Sequence, residues 1–163
     1  MDKELAAFTA RNVKLFLGPR PGKKSLRTLT ALELTHCCTL LSEREGAPAL
    51  EAICRKMGVK WFWLPLEGGG LEILRNADIA GHILRLSREI QDEPEPRLYF
   101  HCSAGIHRTG FFVYVLLRLF HLDRDAAFAE LARLRPVTAE QVGEERLDLA
   151  DELVETLLTA KGT

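Results

Sequence analysis

One cysteine and one arginine carry the most reactive chemistry in this sequence. They are Cys102 and Arg108, separated by a short loop of mostly small residues. The apolar run 98–100 before the cysteine predicts a buried central strand, and the apolar run that begins at Thr109 predicts a buried helix. A small-residue loop between a strand and a helix N-terminus presents several backbone N–H groups to one point. Such a loop is expected to form a concave site for a tetrahedral oxyanion.

The thiol of Cys102 is expected to be a nucleophile. A helix N-terminus and a nearby guanidinium both favour the thiolate, so they lower the pKa of a thiol below its free value of about 8.5. The planar guanidinium of Arg108 can bind two oxygens of the same anion at once. A thiolate and an arginine facing one phosphate predict nucleophilic attack on a phosphate ester. The residues expected to bind the phosphate are Ser103, Ala104, Gly105, Ile106, His107 and Arg108.

Residues 101–110 resemble the H-C-x-A-G-x-x-R-[ST]-G signature of the cysteine-dependent tyrosine and dual-specificity phosphatases at every fixed position. The resemblance implies that Cys102 attacks phosphorus and that Thr109 donates a hydrogen bond to the sulfur. It also implies that His101 braces the loop through hydrogen bonds and does not act as a base. His107 either adds partial positive charge at the rim of the site or is an ordinary exposed loop histidine.

A second likeness lies towards the C-terminus. Residues 135–141 resemble the segment after the penultimate helix of dual-specificity enzymes, where a polar residue approaches the pocket. This resemblance implies that Gln141 positions the hydrolytic water. The alternative is a surface glutamine at the start of a helix.

The reaction also needs an acid on the far side of the phosphate, because the leaving oxygen must be protonated. Phosphatases of this kind usually place an aspartate on an upstream loop, but no aspartate lies between Asp2 and Asp78. Asp92, Glu93 and Glu95 precede the strand that delivers Cys102. At about 3.3 Å per residue, that strand holds them more than roughly 10 Å from the thiol. We therefore exclude these three on geometry.

Glu67 is the predicted acid. It follows a predicted strand, precedes three glycines, and so lies at the same sheet edge as Cys102 on a loop that can close over a phosphate. Residues 64–69 resemble the acid loop of the kinase-associated phosphatase branch of dual-specificity enzymes, with Glu in place of Asp. A glutamate is one methylene longer, so it can do the same work from a loop set slightly further back. The alternatives are a solvated loop glutamate at position 67 and, as a rival acid, Glu72.

The surrounding chain alternates between strands and helices, which predicts a parallel sheet with crossover helices. We expect one α/β domain over residues 1–163, with a mostly parallel central sheet of four to five strands flanked by helices, as in protein tyrosine phosphatases. Strands are predicted at 13–17, 35–41, 59–64 and 98–100, and a short amphipathic turn or helix is predicted at 5–8. Helices are predicted at 26–32, 49–57, 72–90 and 147–158. Two further helices are predicted to begin at Thr109 and just after Asp123.

Composition excludes several classes of partner and site. The formal net charge is −1, from 22 basic and 23 acidic side chains, which does not favour nucleic acid or an anionic membrane. The four cysteines do not form the pattern of a disulfide framework or a zinc site, so we expect a reducing compartment and read Cys37 and Cys38 as small buried residues. The N-terminus is charged and lacks the apolar core of a signal peptide. A cytoplasmic monomer is the expectation.

The sequence therefore predicts a phosphoprotein phosphatase that needs no metal or organic cofactor. Its length leaves no room for the extra loops of deep phosphotyrosine pockets, so a shallow pocket is expected for phosphotyrosine and also for phosphoserine or phosphothreonine. Ser103 and Ile106 carry no charge and His107 is mostly neutral at pH 7, which disfavours phosphoinositides. The alternatives are a phosphatase acting on a phosphoinositide or another small ester, and a non-catalytic phosphate-binding protein.

Overall fold

The computed structural model describes residues 5–161, and side chains as far as residue 159. Residues 1–4, 162 and 163, which the predicted domain includes, lie outside the described residues. The strands are β1 Phe8–Ala10, β2 Val13–Gly18, β3 His36–Thr39, β4 Lys60–Trp63 and β5 Arg97–His101. The helices are α1 Leu26–Ala31, α2 Ala49–Met57, α3 Leu71–Asn76, α4 Ile79–Ile90, α5 His107–Leu119, α6 Arg124–Leu134, α7 Pro136–Gln141 and α8 Glu144–Lys161.

The five strands form one sheet in the order β1-β2-β5-β3-β4. The pairs β2–β5, β5–β3 and β3–β4 are parallel, and β1 runs antiparallel to β2. The predicted α/β fold with a mostly parallel sheet is therefore confirmed. The carboxyl ends of β2, β5, β3 and β4 all meet at one edge, because Gly18 and Thr39 both pair with His101 and Thr39 pairs with Trp63. The loops that follow these strands surround Cys102.

Helix α5 forms the centre of the core. Every residue from Arg108 to Leu117 is buried, which agrees with a sequence that is apolar on all sides after the first turn. The Phe112 ring packs on Phe100 of β5 with centroids 5.7 Å apart. Cys37 and Cys38 are fully buried free thiols, as predicted. Within residues 5–161, no helix combines the length and the apolarity that crossing a membrane requires.

The prediction of a turn or helix at residues 5–8 is wrong. Phe8 begins β1, which pairs with β2 in the register Phe8↔Leu15 and Ala10↔Val13. The two residues between the strands form a tight turn, in which Arg11 has φ 55°. The apolar residues at 5–8 could not distinguish a helix turn from an edge strand, since a run that short has no clear period.

The single long helix predicted over residues 72–90 is two helices, α3 and α4. The chain leaves α3 at Ala77, which is extended at φ −72° and ψ 144°, and α4 starts anew at Asp78. The Asp78 carboxylate accepts a hydrogen bond of 3.0 Å from the backbone N–H of Gly81, which is an ordinary helix N-cap. The apolar pattern runs through the break because Leu74 and Ile79 both reach the same core.

Candidate active site

Cys102 lies directly after β5, and only 3 % of the residue is exposed. Its sulfur accepts a hydrogen bond of 3.1 Å from the hydroxyl of Thr109, a buried residue in the first turn of α5. Burial by itself would raise the pKa of the Cys102 thiol. The Thr109 hydroxyl, the backbone N–H groups of Thr109 and Ile106, and the charge of Arg108 outweigh burial, so the pKa is lowered. The site therefore favours a thiolate.

The carbonyl groups of the loop after Cys102 are all bound from outside the loop. The donors are the His101 ring to the Cys102 carbonyl (3.0 Å), the backbone N–H of Arg20 to Ser103 (3.0 Å), and the Arg135 guanidinium to Ala104 (2.8 Å) and Gly105 (2.9 Å). No peptide bond in residues 5–161 is cis. Because a trans peptide points its N–H opposite to its carbonyl, the N–H groups of residues 103–106 face the other side, into the loop.

Gly105 is the residue that lets this loop pack against β2. It has φ +72°, and a Cβ there would lie 2.2 Å from the Gly18 carbonyl oxygen. A side chain is therefore excluded both by backbone strain and by space. The hydroxyl of Thr138, on α7, donates a further hydrogen bond of 2.6 Å to the Gly105 carbonyl.

Glu45, which is not among the residues predicted from sequence, holds Arg108 in place. The carboxylate binds Nη1 at 2.7 Å and Nη2 at 2.8 Å, while the Leu66 carbonyl accepts a second bond of 3.0 Å from Nη1. This leaves Nε–H and one Nη2–H on the same edge of the guanidinium. Because that edge is a two-donor fork, Arg108 can still bind two oxygens of one phosphate.

Glu45 belongs to the 3₁₀ turn Glu43–Glu45 that follows β3 at the same sheet edge. The backbone N–H and the hydroxyl of Ser42 donate to its Oε1 at 3.0 and 2.8 Å. Hydrogen bonding to Arg108 is the largest influence on this carboxyl and lowers its pKa to about 2. The Ser-x-x-Glu spacing at 42–45, just after a predicted strand, is the signal that would have pointed to this residue.

The loop that carries Glu67 lies directly on residues 103–108, the predicted phosphate loop. It is attached on both sides of the glutamate: the Leu66 carbonyl binds Arg108, and the Gly69 carbonyl accepts a bond of 2.7 Å from Nε of Arg146 on α8. A Cβ on Gly69 would lie 2.8 Å from the Cβ of His107, so only glycine permits this contact. Glu67 itself is exposed.

The other candidate acids lie in two places. Glu72 is exposed in the first turn of α3 and lines the same surface cavity as Glu67. Glu93 lies 3.7 Å from Nζ of Lys60, the first residue of β4. Because β4 and β5 run in parallel through β3, Asp92, Glu93 and Glu95 lie at the opposite edge of the sheet from Cys102, as expected.

The remaining predicted site residues lie around the loop. Ser103, Ala104 and His107 are exposed and Ile106 is half-buried. Burial and Arg146 lower the pKa of His107, partly offset by a hydrogen bond to the backbone of Gln141. Gln141 is therefore next to the rim of the loop, with its side chain exposed at the end of α7.

Replacing Glu45 by glutamine is expected to lower kcat/KM about tenfold, in keeping with the roughly 1.5–3 kcal/mol of a hydrogen bond to a charged group. The pKa of Glu45 is depressed in the folded state, so this carboxylate stabilises the fold above its unfolded pKa of about 4.3. That stabilisation is lost as the pH falls from there towards about 2. Acid unfolding curves and aryl phosphate kinetics measure both effects.

The matched control is Glu51→Gln, which breaks an exposed pair with Arg55 on α2. We expect it to leave both the kinetics and the acid unfolding unchanged. Equal effects from the two variants would contradict the assigned role of Glu45.

The comparisons with known proteins agree with this geometry. Residues 72–161 match the family model described as tyrosine phosphatase family. No curated protein sequence matched the chain. Tk-PTP in its active form is 23 % identical with a TM-score of 0.66, and 91 % of this chain and 96 % of that one are covered. Kinase-associated phosphatase with its catalytic-site cysteine replaced by serine is 18 % identical with a TM-score of 0.68, covering 90 % of this chain and 87 % of that one.

A third similar structure is PTPMT1 in complex with PI(5)P, which is 19 % identical with a TM-score of 0.66 and covers 93 % of this chain and 95 % of that one. At these identities the structural matches show a common fold. The family model, in contrast, spans more than half of the sequence and includes the Cys102 loop. This chain belongs to the tyrosine phosphatase family.

Proposed function

We propose that this chain is a protein phosphatase that hydrolyses phosphotyrosine, and also phosphoserine or phosphothreonine, through a phosphocysteine intermediate. The observation that carries the proposal is the arrangement around the Cys102 sulfur. A thiol of lowered pKa lies at the start of a loop whose N–H groups face inward, beside an arginine with one free two-donor edge. Few sites other than a phosphate site would need all three.

In the first step, the loop N–H groups and the free edge of Arg108 hold the non-bridging oxygens of the phosphate. The Cys102 thiolate attacks phosphorus in line, so the S–P bond forms as the P–O bond to the leaving group breaks. Glu67 gives its proton to the leaving oxygen. The loop N–H groups and Arg108 together stabilise the charge that spreads over the equatorial oxygens in the transition state.

In the second step, a water molecule attacks the phosphocysteine. Glu67, now ionised, takes a proton from that water, and Gln141 positions it. The P–S bond breaks, and the Thr109 hydroxyl stabilises the departing thiolate through the 3.1 Å contact already present. These residues supply every charge and proton transfer of both steps, so the proposed reaction needs no metal or organic cofactor.

One feature supports a phosphoinositide as the second candidate substrate. Residues 11–32 contain six basic side chains and no acidic one, and four of the six follow the carboxyl end of β2: Arg20, Lys23, Lys24 and Arg27. The middle of this segment, the loop after β2, borders the phosphate loop through the Arg20–Ser103 hydrogen bond and the Gly18–Gly105 contact. Exposed cations such as Lys23 and Lys24 would attract a headgroup with several phosphates. PTPMT1, which has this fold, was solved with PI(5)P bound.

A substrate panel separates the two candidates. We expect kcat/KM to be at least about tenfold higher for a phosphotyrosyl peptide than for PI(5)P in vesicles, because the variable positions of the phosphate loop itself carry no fixed positive charge. The measurement is released phosphate at matched concentrations of phosphotyrosyl peptide, phosphoseryl peptide and lipid.

The double variant Lys23→Ala, Lys24→Ala is the control for the basic segment. Peptide turnover should not depend on it. A preference for PI(5)P that disappears in the double variant would favour the lipid phosphatase over the protein phosphatase.

A further inference from the structure

A line of hydrogen bonds crosses three neighbouring strands behind the catalytic loop. The indole N–H of Trp61 on β4 donates to the Thr39 hydroxyl on β3 at 2.8 Å. The Thr39 hydroxyl lies 2.7 Å from Nε2 of His101 on β5, and Nδ1 of His101 lies 3.0 Å from the Cys102 carbonyl oxygen. Thr39 and His101 are fully buried, so water cannot replace either partner.

The chemistry of the two ends fixes the direction of every bond in this line. An indole N–H can only donate, and a carbonyl oxygen can only accept. Because the Cys102 carbonyl must accept, a ring with one N–H carries its proton on Nδ1. Nε2 is then an acceptor, so the Thr39 hydroxyl donates to Nε2 while it accepts from Trp61.

The bond directions hold for a neutral histidine ring, since an imidazolium would carry protons on both nitrogens. Burial is the largest influence on His101, and Arg20 and Arg108 act in the same direction, so its pKa is lowered to about 4. The ring is neutral at pH 7. The neutral ring has one N–H group. Whether that proton is on Nδ1 or on Nε2 decides whether the Cys102 carbonyl faces a hydrogen-bond donor or a lone pair.

We infer that Trp61 is a positioning residue for the phosphate loop. By donating to Thr39 it occupies one of the two lone pairs of that hydroxyl and polarises its O–H bond. This favours donation from Thr39 to Nε2, and with it the His101 tautomer that holds the Cys102 carbonyl and orients the Ser103 N–H towards the phosphate. Without the indole donor, both lone pairs of the Thr39 hydroxyl are open, so accepting from Nε2–H competes more strongly with donating to Nε2. In the Nε2–H tautomer the Nδ1 lone pair faces the Cys102 carbonyl oxygen and repels it.

The neighbouring Trp63 provides a matched control. Its ring stacks on Trp61 with centroids 5.6 Å apart, and its indole N–H donates to the Leu41 carbonyl at 2.7 Å. The two residues therefore share a strand, a stack and an indole N–H that donates to β3 or the residues just after it. Of the two tryptophans, only Trp61 donates to Thr39.

The experiment is nitrogen NMR of the full chain labelled with ¹⁵N-histidine, with the His101 signals assigned by their loss in His101→Asn. In the wild type we expect the proton on Nδ1. Trp61→Phe keeps an aromatic ring but loses the donor, so the Nε2–H form should appear. Trp63→Phe should leave the His101 signals unchanged.

Kinetics give a second readout, which rests on the proposed function. Trp61→Phe should lower kcat/KM for an aryl phosphate about fivefold, the scale of one buried hydrogen bond. Thr39→Val should lower it at least as much, whereas Thr39→Ser, which keeps the hydroxyl, should restore most of the rate. Trp63→Phe should stay near the wild type.

Three results would overturn the inference: a wild-type His101 protonated on Nε2, an unchanged tautomer in Trp61→Phe, or an equal tautomer shift in Trp63→Phe. The first of these is read on the wild type itself, and His101→Asn serves only to assign its signals. The NMR readout also needs no turnover. If the wild type has the expected tautomer but hydrolyses no phosphate ester, the proposed function fails while the role of Trp61 in setting the tautomer stands.

Discussion

Replacing Cys102 by serine is expected to abolish turnover, by roughly 10⁴-fold or more, the scale seen when a catalytic nucleophile is removed. The serine hydroxyl is not ionised near neutral pH, so it cannot attack phosphorus. The loop N–H groups and the free edge of Arg108 are unchanged, so phosphate-ester binding should survive. Single-turnover kinetics and calorimetric binding of a phosphotyrosyl peptide measure the two effects separately.

Cys54→Ala is the matched control for the loss of a buried thiol, since Cys54 is a free, buried cysteine on α2 in a separate apolar cluster. It should retain turnover. A Cys102→Ser variant with a rate near that of the wild type would refute the assignment of the nucleophile, and with it the proposed mechanism.

Glu67→Gln is expected to lower kcat about 10²-fold for substrates with alkyl or phenolic leaving groups, because a general acid contributes about that much. The loss should shrink for p-nitrophenyl phosphate, whose leaving group needs little protonation. The acidic limb of the pH–rate profile, set by Cys102, should survive.

Glu72→Gln provides the comparison, because Glu72 lines the same surface cavity and is also exposed. We expect it to leave the profile unchanged for every leaving group. If Glu72→Gln slows the poor leaving groups and Glu67→Gln does not, the acid is Glu72 and the glycines after Glu67 serve only to turn the chain.

The phosphate loop could be predicted from sequence because its geometry is local. Cys102, Thr109 and Arg108 lie within one strand–loop–helix unit, so their spacing nearly determines their arrangement. The parallel sheet was predictable for a related reason, since alternating strands and helices leave few ways to bury both faces of the strands.

The features that sequence reasoning missed depend on contacts that are distant in the chain or on single capping residues. Glu45 reaches Arg108 across 63 positions, and no local pattern states that two such residues will meet. The break between α3 and α4 rests on Asp78, whose capping bond to Gly81 interrupts an apolar pattern that is continuous on both sides. Edge strand β1 forms because β2 offers a free edge, which residues 5–8 cannot reveal by themselves.

The outward hydrogen bonds of the loop carbonyls have a thermodynamic consequence. Four backbone carbonyls from Cys102 to Gly105 have hydrogen-bond donors within the protein itself, so folding restricts the loop. Under the proposed function, a phosphate ester would then lose little affinity to the entropy of ordering the backbone. The same property would act on the product, because inorganic phosphate meets the same inward N–H groups as the ester. We therefore expect the release of phosphate to be slowed by the same restricted loop that favours binding.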